Sequence, residues 1–168
     1  VEVIVARDWA RDDTAAGLPE RYPRVRWVQA PGGTTVPHLR LLAVHAATQP
    51  RLALIEDDCL VASGWCEAVR GAHADPDVAI GGAVEPGRLR GMRNWAIYFY
   101  EYGRFMRPLP RSGPIAGNHV LYKKAALLEA ADLTREGVYD AFLHAAWHSQ
   151  GRRLSADEVI QELRPKLA

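Results

Sequence analysis

Two cysteines in 168 residues, no apolar run of membrane-spanning length and no surplus of either charge distinguish this chain first by what it lacks. Cys59 and Cys66 have neither metal-ligand spacing nor further cysteines for company, so a reduced cytosolic pair with packing roles is expected ahead of a disulfide framework. Lysine and arginine total 21 against 20 aspartates and glutamates, net +1, with the signs interspersed. A nucleic-acid binder or a protein of anionic membrane surfaces calls for a basic stripe or tail, so nucleic acid is not expected as a partner. A bilayer span needs about 20 consecutive apolar residues. Neither that nor a charged-then-apolar leader is present, and the expectation is a cytoplasmic chain without a membrane span, or one that is membrane-associated within a longer protein. Internal repeats, low-complexity segments and interdomain linkers are also missing. No glycine-rich phosphate loop stands near the start, which counts against a nucleotidyltransferase. At this length one ordinary domain buries a substantial core unaided.

What is present alternates between strand and helix patterns. Val1 to Ala6 is β-branched and apolar, as a buried strand of a parallel sheet is, and Arg24 to Val28 alternates like an edge strand before Pro31-Gly32-Gly33 breaks it. Helical spacing runs from Val36 to Thr48, and Gln49-Pro50 stops it. A helix is predicted from Ser63-Gly64-Trp65 to His73, and a short strand over Val78 to Gly82. Pro86 to Pro114 carries an aromatic cluster and reads as a helix and loop of core or lid character. A glycine-asparagine turn then leads into an apolar strand ending at Tyr122. Helices follow over Lys123 to Ala131 and Val138 to Gln150, and a short final strand at Val159-Ile160. Strand, helix and strand in this order predict a mostly parallel sheet with crossover helices.

The strongest chemical signal is Leu52-Ala53-Leu54-Ile55-Glu56-Asp57-Asp58, a strand pattern that ends in three consecutive carboxylates. Anions crowded at the end of a buried strand repel one another and lose hydration. They persist when a divalent metal or a substrate's hydroxyls and amines compensate them. The plain alternative is an acidic turn capping the next helix. Asp140, His144 and His148 stand four apart, so a straight helix aligns them on one face, either as a transition-metal stripe or, more ordinarily, as a solvated polar one. His119 is expected to line the cleft from its turn.

Together these segments resemble the inverting glycosyltransferases of family 2. That resemblance implies an α/β chain with the single-domain GT-A fold, a Rossmann-like mixed, mostly parallel sheet flanked by helices. Val1 to Thr14 is similar to the family's second strand and its acidic turn, where Asp8 keeps the carboxylate that contacts the nucleobase while Arg7 and Trp9 replace the usual Asp and Gly. Arg40 stands at the arginine of "Ala-Arg-Asn-x-Gly", with Leu41 and Ala43 in place of the asparagine and glycine, which implies a donor-binding role near the phosphates. Glu56-Asp57-Asp58 lies at the Asp-x-Asp motif, which implies a metal-coordinating role for Asp58 and places Glu56 and Asp57 toward the ribose and donor sugar. Gly81-Gly82 matches a glycine pair, and Ala116 to Lys124 resembles "Gly-Asn-Asn-x-x-x-Arg-Arg", which brings Gly117 and Asn118 to the donor. Tyr139 to Leu143 is similar to "Glu-Asp-x-Asp-Leu", leaving Asp140 as the surviving catalytic base, and Gln161 stands where a histidine is common.

The resemblance implies sugar transfer from a nucleoside-diphosphate sugar to the hydroxyl of a glycan, lipid or small-molecule acceptor, assisted by Mn2+ or Mg2+. It divides residues 1–168 into a donor-binding part, about 1–85, and an acceptor and lid part, about 86–168. The family's first strand-helix unit has no match in this sequence. The substituted acids leave a second reading, a non-enzymatic nucleotide-sugar-binding relative. For either, the acidic trio is expected at the carboxyl edge of a central parallel strand.

Overall fold

The computed structural model describes residues 1–8, 17–57, 59–72, 76–87, 90–110 and 113–164, the backbone alone from 158 onward. The β-branched opening forms β1 (Ile4–Asp8), which pairs in parallel with β2 (Arg26–Ala30), register Ile4 to Arg26 through Asp8 to Ala30. The short helix α1 (Leu18–Arg21) lies between them in sequence. Helix α2 (Val36–Ala46) packs on both strands. Pro37 sits in its first turn, where a missing N–H costs no helical hydrogen bond.

A second, five-stranded sheet has the order β3 (Arg51–Ile55), β6 (His119–Lys123), β5 (Ala79–Pro86), β7 (Leu154–Arg164), β4 (Leu60–Val61). It is mixed: β5 runs antiparallel to β6, with Ile80 opposite Leu121, and parallel to β7, while β4 is antiparallel to β7. The first six residues of β5 are all buried, as a strand with neighbours on both edges demands. Gly81 is required there, since a Cβ would overlap the Ile115 side chain and lie 3.2 Å from its Cα. Helices α3 (Trp65–Gly71), α4 (Gly91–Tyr102), α5 (Lys124–Glu129), α6 (Ala131–Thr134) and α7 (Asp140–Ser149), with a 3-10 turn over Gly103–Phe105, complete the described elements. One apolar cluster joins Val84, Tyr98, Phe105 and Ala116, and another places Trp65, Ala68 and Val69 of α3 against Ile80 and Leu121.

The chain divides into two compact units. One comprises residues 1–52 and 124–143, the other 53–123 and 144–168. Several expectations change. The acidic run follows β3, which stands at one end of its sheet order and not at the centre. The final strand extends over Leu154–Arg164, because β7 lies between β5 and β4 and ladder bonds on both edges outweigh its charged composition. The helix expected over Lys123 to Ala131 is two, α5 and α6, with Ala130 at non-helical dihedrals between them.

Candidate functional site

In the first unit, β1 delivers Asp8 to its carboxyl end, where the side chain is buried and accepts a hydrogen bond from the Gly33 backbone N–H. Gly33 adopts φ +84°, a left-handed conformation that glycine takes without a Cβ penalty, and this turns its N–H toward the carboxylate. Asp8 therefore ties β1 to the turn ahead of α2.

Arg40 and Asp140 belong to the same unit. Arg40, on the second turn of α2, donates from Nη1 to Asp140 Oδ1 at 3.2 Å, with the two side chains 16% and 34% exposed. Asp140 is the first residue of α7, where a carboxylate also meets the favourable end of the helix dipole. The approach is fixed by the backbone ahead of it. The Val138 N–H donates to Pro37 O at 2.9 Å, and Gly137 passes so close that a Cβ would stand 2.8 Å from the His38 nitrogen. The residue expected on the donor phosphate side and the expected base thus meet across a hundred positions.

Glu56 and Asp57 lie in the second unit, in the turn after β3 where the Cys59 N–H donates to Glu56 O at 3.2 Å; Glu56 is half-buried and Asp57 exposed. Asp58, the expected metal ligand, lies outside the described residues. Gly117 and Asn118 form the turn into β6, Asn118 buried. No cluster of three His, Cys, Asp or Glu suited to a metal occurs among the described residues. The structure thus brings Arg40 to Asp140, and describes the acidic run and the Gly117-Asn118 turn in the other unit.

The histidines take other roles than the sequence suggests. His119 does not line a cleft: it is 1% exposed, stacked on Trp65 at 5.9 Å, and its Nε2 accepts the Trp65 indole N–H at 2.6 Å. That bond requires an unprotonated Nε2, and burial pushes the imidazole down to about 4. His144 shares a 2.7 Å hydrogen bond with the buried Tyr122 hydroxyl and stacks on Trp147, so the His144 and Asp140 of the helical stripe each serve a different partner. Lys124 Nζ donates to Ala47 O at 2.5 Å and Lys123 Nζ to Pro76 O. Asp77, buried at 2% exposure, pairs with Arg153 at 2.8 Å and anchors the start of β5. No local pattern announces these pairings, since each joins residues 22 to 77 positions apart, as for His144 and Lys124.

Solved structures of other proteins share this architecture. The chain resembles a mannosyltransferase from Pyrobaculum calidifontis, solved in complex with GDP-Man and Mn2+, at TM-score 0.67 and 16% identity over 96% of this chain and 47% of that one. It also resembles S. aureus TarS 1–349 at TM-score 0.65 and 13% identity, over 94% of this chain and 48% of that one. A UDP complex of the same TarS fragment gives TM-score 0.60 and 14% identity. The fold is GT-A. The chain spans about half the length of these structures, 47% and 48%. No protein-family model and no curated protein matches the sequence. Among the described residues, no helix of this GT-A chain is long and apolar enough to cross a membrane.

Proposed function

We propose that the chain is the donor-binding and transfer part of an inverting glycosyltransferase of family 2 type, moving a sugar from a nucleoside-diphosphate sugar to a glycan, lipid or small-molecule hydroxyl. The observation that carries this reading is the Arg40–Asp140 pair, a carboxylate held by a guanidinium at 3.2 Å at a helix start within a GT-A fold. In the reaction the acceptor oxygen bonds to the anomeric carbon as the bond from that carbon to the diphosphate breaks. The bonding pair leaves with the diphosphate, and the hydroxyl proton passes to Asp140. Arg40 engages Oδ1 and so orients the carboxylate, which assigns Oδ2 to the acceptor proton.

Asp8 takes the nucleobase, whose N–H groups suit a carboxylate's acceptor oxygens. Glu56 and Asp57 receive hydroxyls of the ribose and donor sugar, and Gly117 and Asn118 complete the donor side. Asp58, which lies outside the described residues, would hold Mn2+ or Mg2+, hard cations that a carboxylate oxygen suits. When bound, the cation supplies neutralisation of the diphosphate charge. The donor part extends over about 1–85 and the acceptor and lid part over about 86–168.

Calorimetric titration with uridine and guanosine diphosphates and their sugars, with Mn2+ present, is expected to find one that binds. Asp140→Asn is then expected to lower kcat by about a hundredfold or more with donor affinity kept. No binding by any nucleotide would overturn the proposal. A nucleotide-sugar-binding relative without turnover is the second reading, favoured by Tyr139 and Phe142 standing where the resemblance expects acids. Donor binding with no transfer to any acceptor, and indifference to Asp140→Asn, would select it.

A further inference from the structure

Helix α4 is anchored by one face only. Tyr98 is fully buried and donates from its hydroxyl to Val84 O at 2.7 Å, and Phe105, just beyond the helix, is buried beside it. The opposite arc carries Met92 at 89% exposure, Phe99 at 55% and Tyr100 at 92%, with Ala96 between them and Trp95, 38% exposed, on its shoulder. At 100° per residue Met92, Ala96, Phe99 and Tyr100 form one continuous apolar stripe. Scattered exposed apolar residues are ordinary; a contiguous aromatic stripe on a helix whose other side is firmly packed marks a binding face.

The charge around that stripe is as lopsided as its hydropathy. Between Gly87 and Ser112 there are six arginines and one acid, Glu101, so this segment carries +5 in a chain of net +1 and leaves −4 on the remainder. Arg88 and Arg111 lie outside the described residues, and Arg107 pairs with Glu85 at 2.8 Å. Arg90, Arg93 and Arg104 are exposed, and Arg93 follows Met92 in the first turn, at the border of the stripe. Helix electrostatics do not account for this order. Arginines stand at the positive, N-terminal end of α4 and Glu101 near its C-terminal end, the reverse of what the dipole favours. A partner that rewards cations next to aromatic side chains does account for it.

We infer that α4 is an interfacial helix that seats this chain on an anionic lipid surface, with Met92, Phe99 and Tyr100 entering the headgroup boundary and Arg90 and Arg93 pairing with lipid phosphates. Apolar residues on one arc and arginine at its border are the chemistry of helices that lie in the plane of a membrane. The inference is independent of the transferase reading, because it needs no donor, metal or catalytic group.

The test is co-sedimentation of the full chain with vesicles of phosphatidylcholine alone and of phosphatidylcholine with about one-third phosphatidylglycerol. The anionic vesicles are expected to bind at least about tenfold more strongly, with the advantage shrinking as salt rises. Met92→Ser with Tyr100→Ser, and separately Arg90→Gln with Arg93→Gln, are each expected to weaken that binding about tenfold. These side chains are solvent-exposed, and unchanged circular dichroism and thermal unfolding would certify the variants. Equal or absent binding to the two vesicle types would overturn the inference. So would full binding by certified variants, or a stripe that mediates self-association in sedimentation velocity without lipid.

Discussion

An imidazole held neutral by burial makes stability depend on pH. His119 has its folded-state value pushed down to about 4 by burial, while in the unfolded chain it titrates near the ordinary histidine value of 6.5. As pH falls below the unfolded value, the unfolded state takes up a proton that the folded state refuses. Stability is therefore lost between the two values and levels off below the lower one. The loss amounts to about 2 kcal/mol by pH 5. Urea unfolding of the protein and of His119→Gln is expected to show their difference in stability shrinking by about that amount between neutral pH and pH 5. A gap independent of pH would refute the role. Residue types alone do not announce this pairing. A histidine beside Gly117-Asn118 reads as a cleft residue, and only the packing of α3 on β6 supplies Trp65 as its donor. Asp8, Arg40 and Asp140 are single candidates that only the family resemblance offers. That Arg40 and Asp140 meet was not legible in the sequence, since no spacing along the chain encodes a contact between α2 and the start of α7.

At the scale of elements, the junction before α7 is the feature on which the Arg40–Asp140 pair rests. Gly137 has φ +122°, and a Cβ there would stand 2.6 Å from the Pro37 carbonyl carbon and 2.8 Å from the His38 nitrogen, backbone atoms that cannot swing aside. Gly137→Ala is expected to cost at least about 2 kcal/mol through the combined strain and overlap, read as a lower urea midpoint. In the transferase reading it lowers kcat as well, by moving Asp140 away from α2. Gly151, also at positive φ but with open space where a Cβ would stand, serves as the control, since its replacement by alanine meets only the backbone strain. The strands and helices with clear apolar periodicity, β1, β3 and α2, fall within a few residues of their expected positions. Where periodicity was weak the structure differs. Strand β5 continues through Glu85-Pro86, and β7 reaches eleven residues, because both strands gain partners that only the sheet provides.

For the whole molecule, the near balance of 21 basic and 20 acidic residues gives an isoelectric point of about 8.0. Solubility in polyethylene glycol at low salt is expected to pass through a minimum close to that pH and to recover about two units to either side, as net charge of one sign returns. A monotonic profile would show that local patches, such as the one on α4, govern association instead. The absence of a linker in the sequence is consistent with where the two compact units divide, since their boundaries fall within β3, between β6 and α5, and within α7. Composition does not change at such boundaries. The sequence by itself determined the α/β class, the individual elements and the carboxylates that candidate chemistry would use, because period, turn residues and charge are properties of neighbouring positions. The tertiary structure decided which of those residues meet: Arg40 with Asp140, Trp65 with His119, and the bare arc of α4 left outside the core. Such pairings arise from register and packing between segments far apart in the chain, and burial energy acts on the assembled surface rather than on the order of residues.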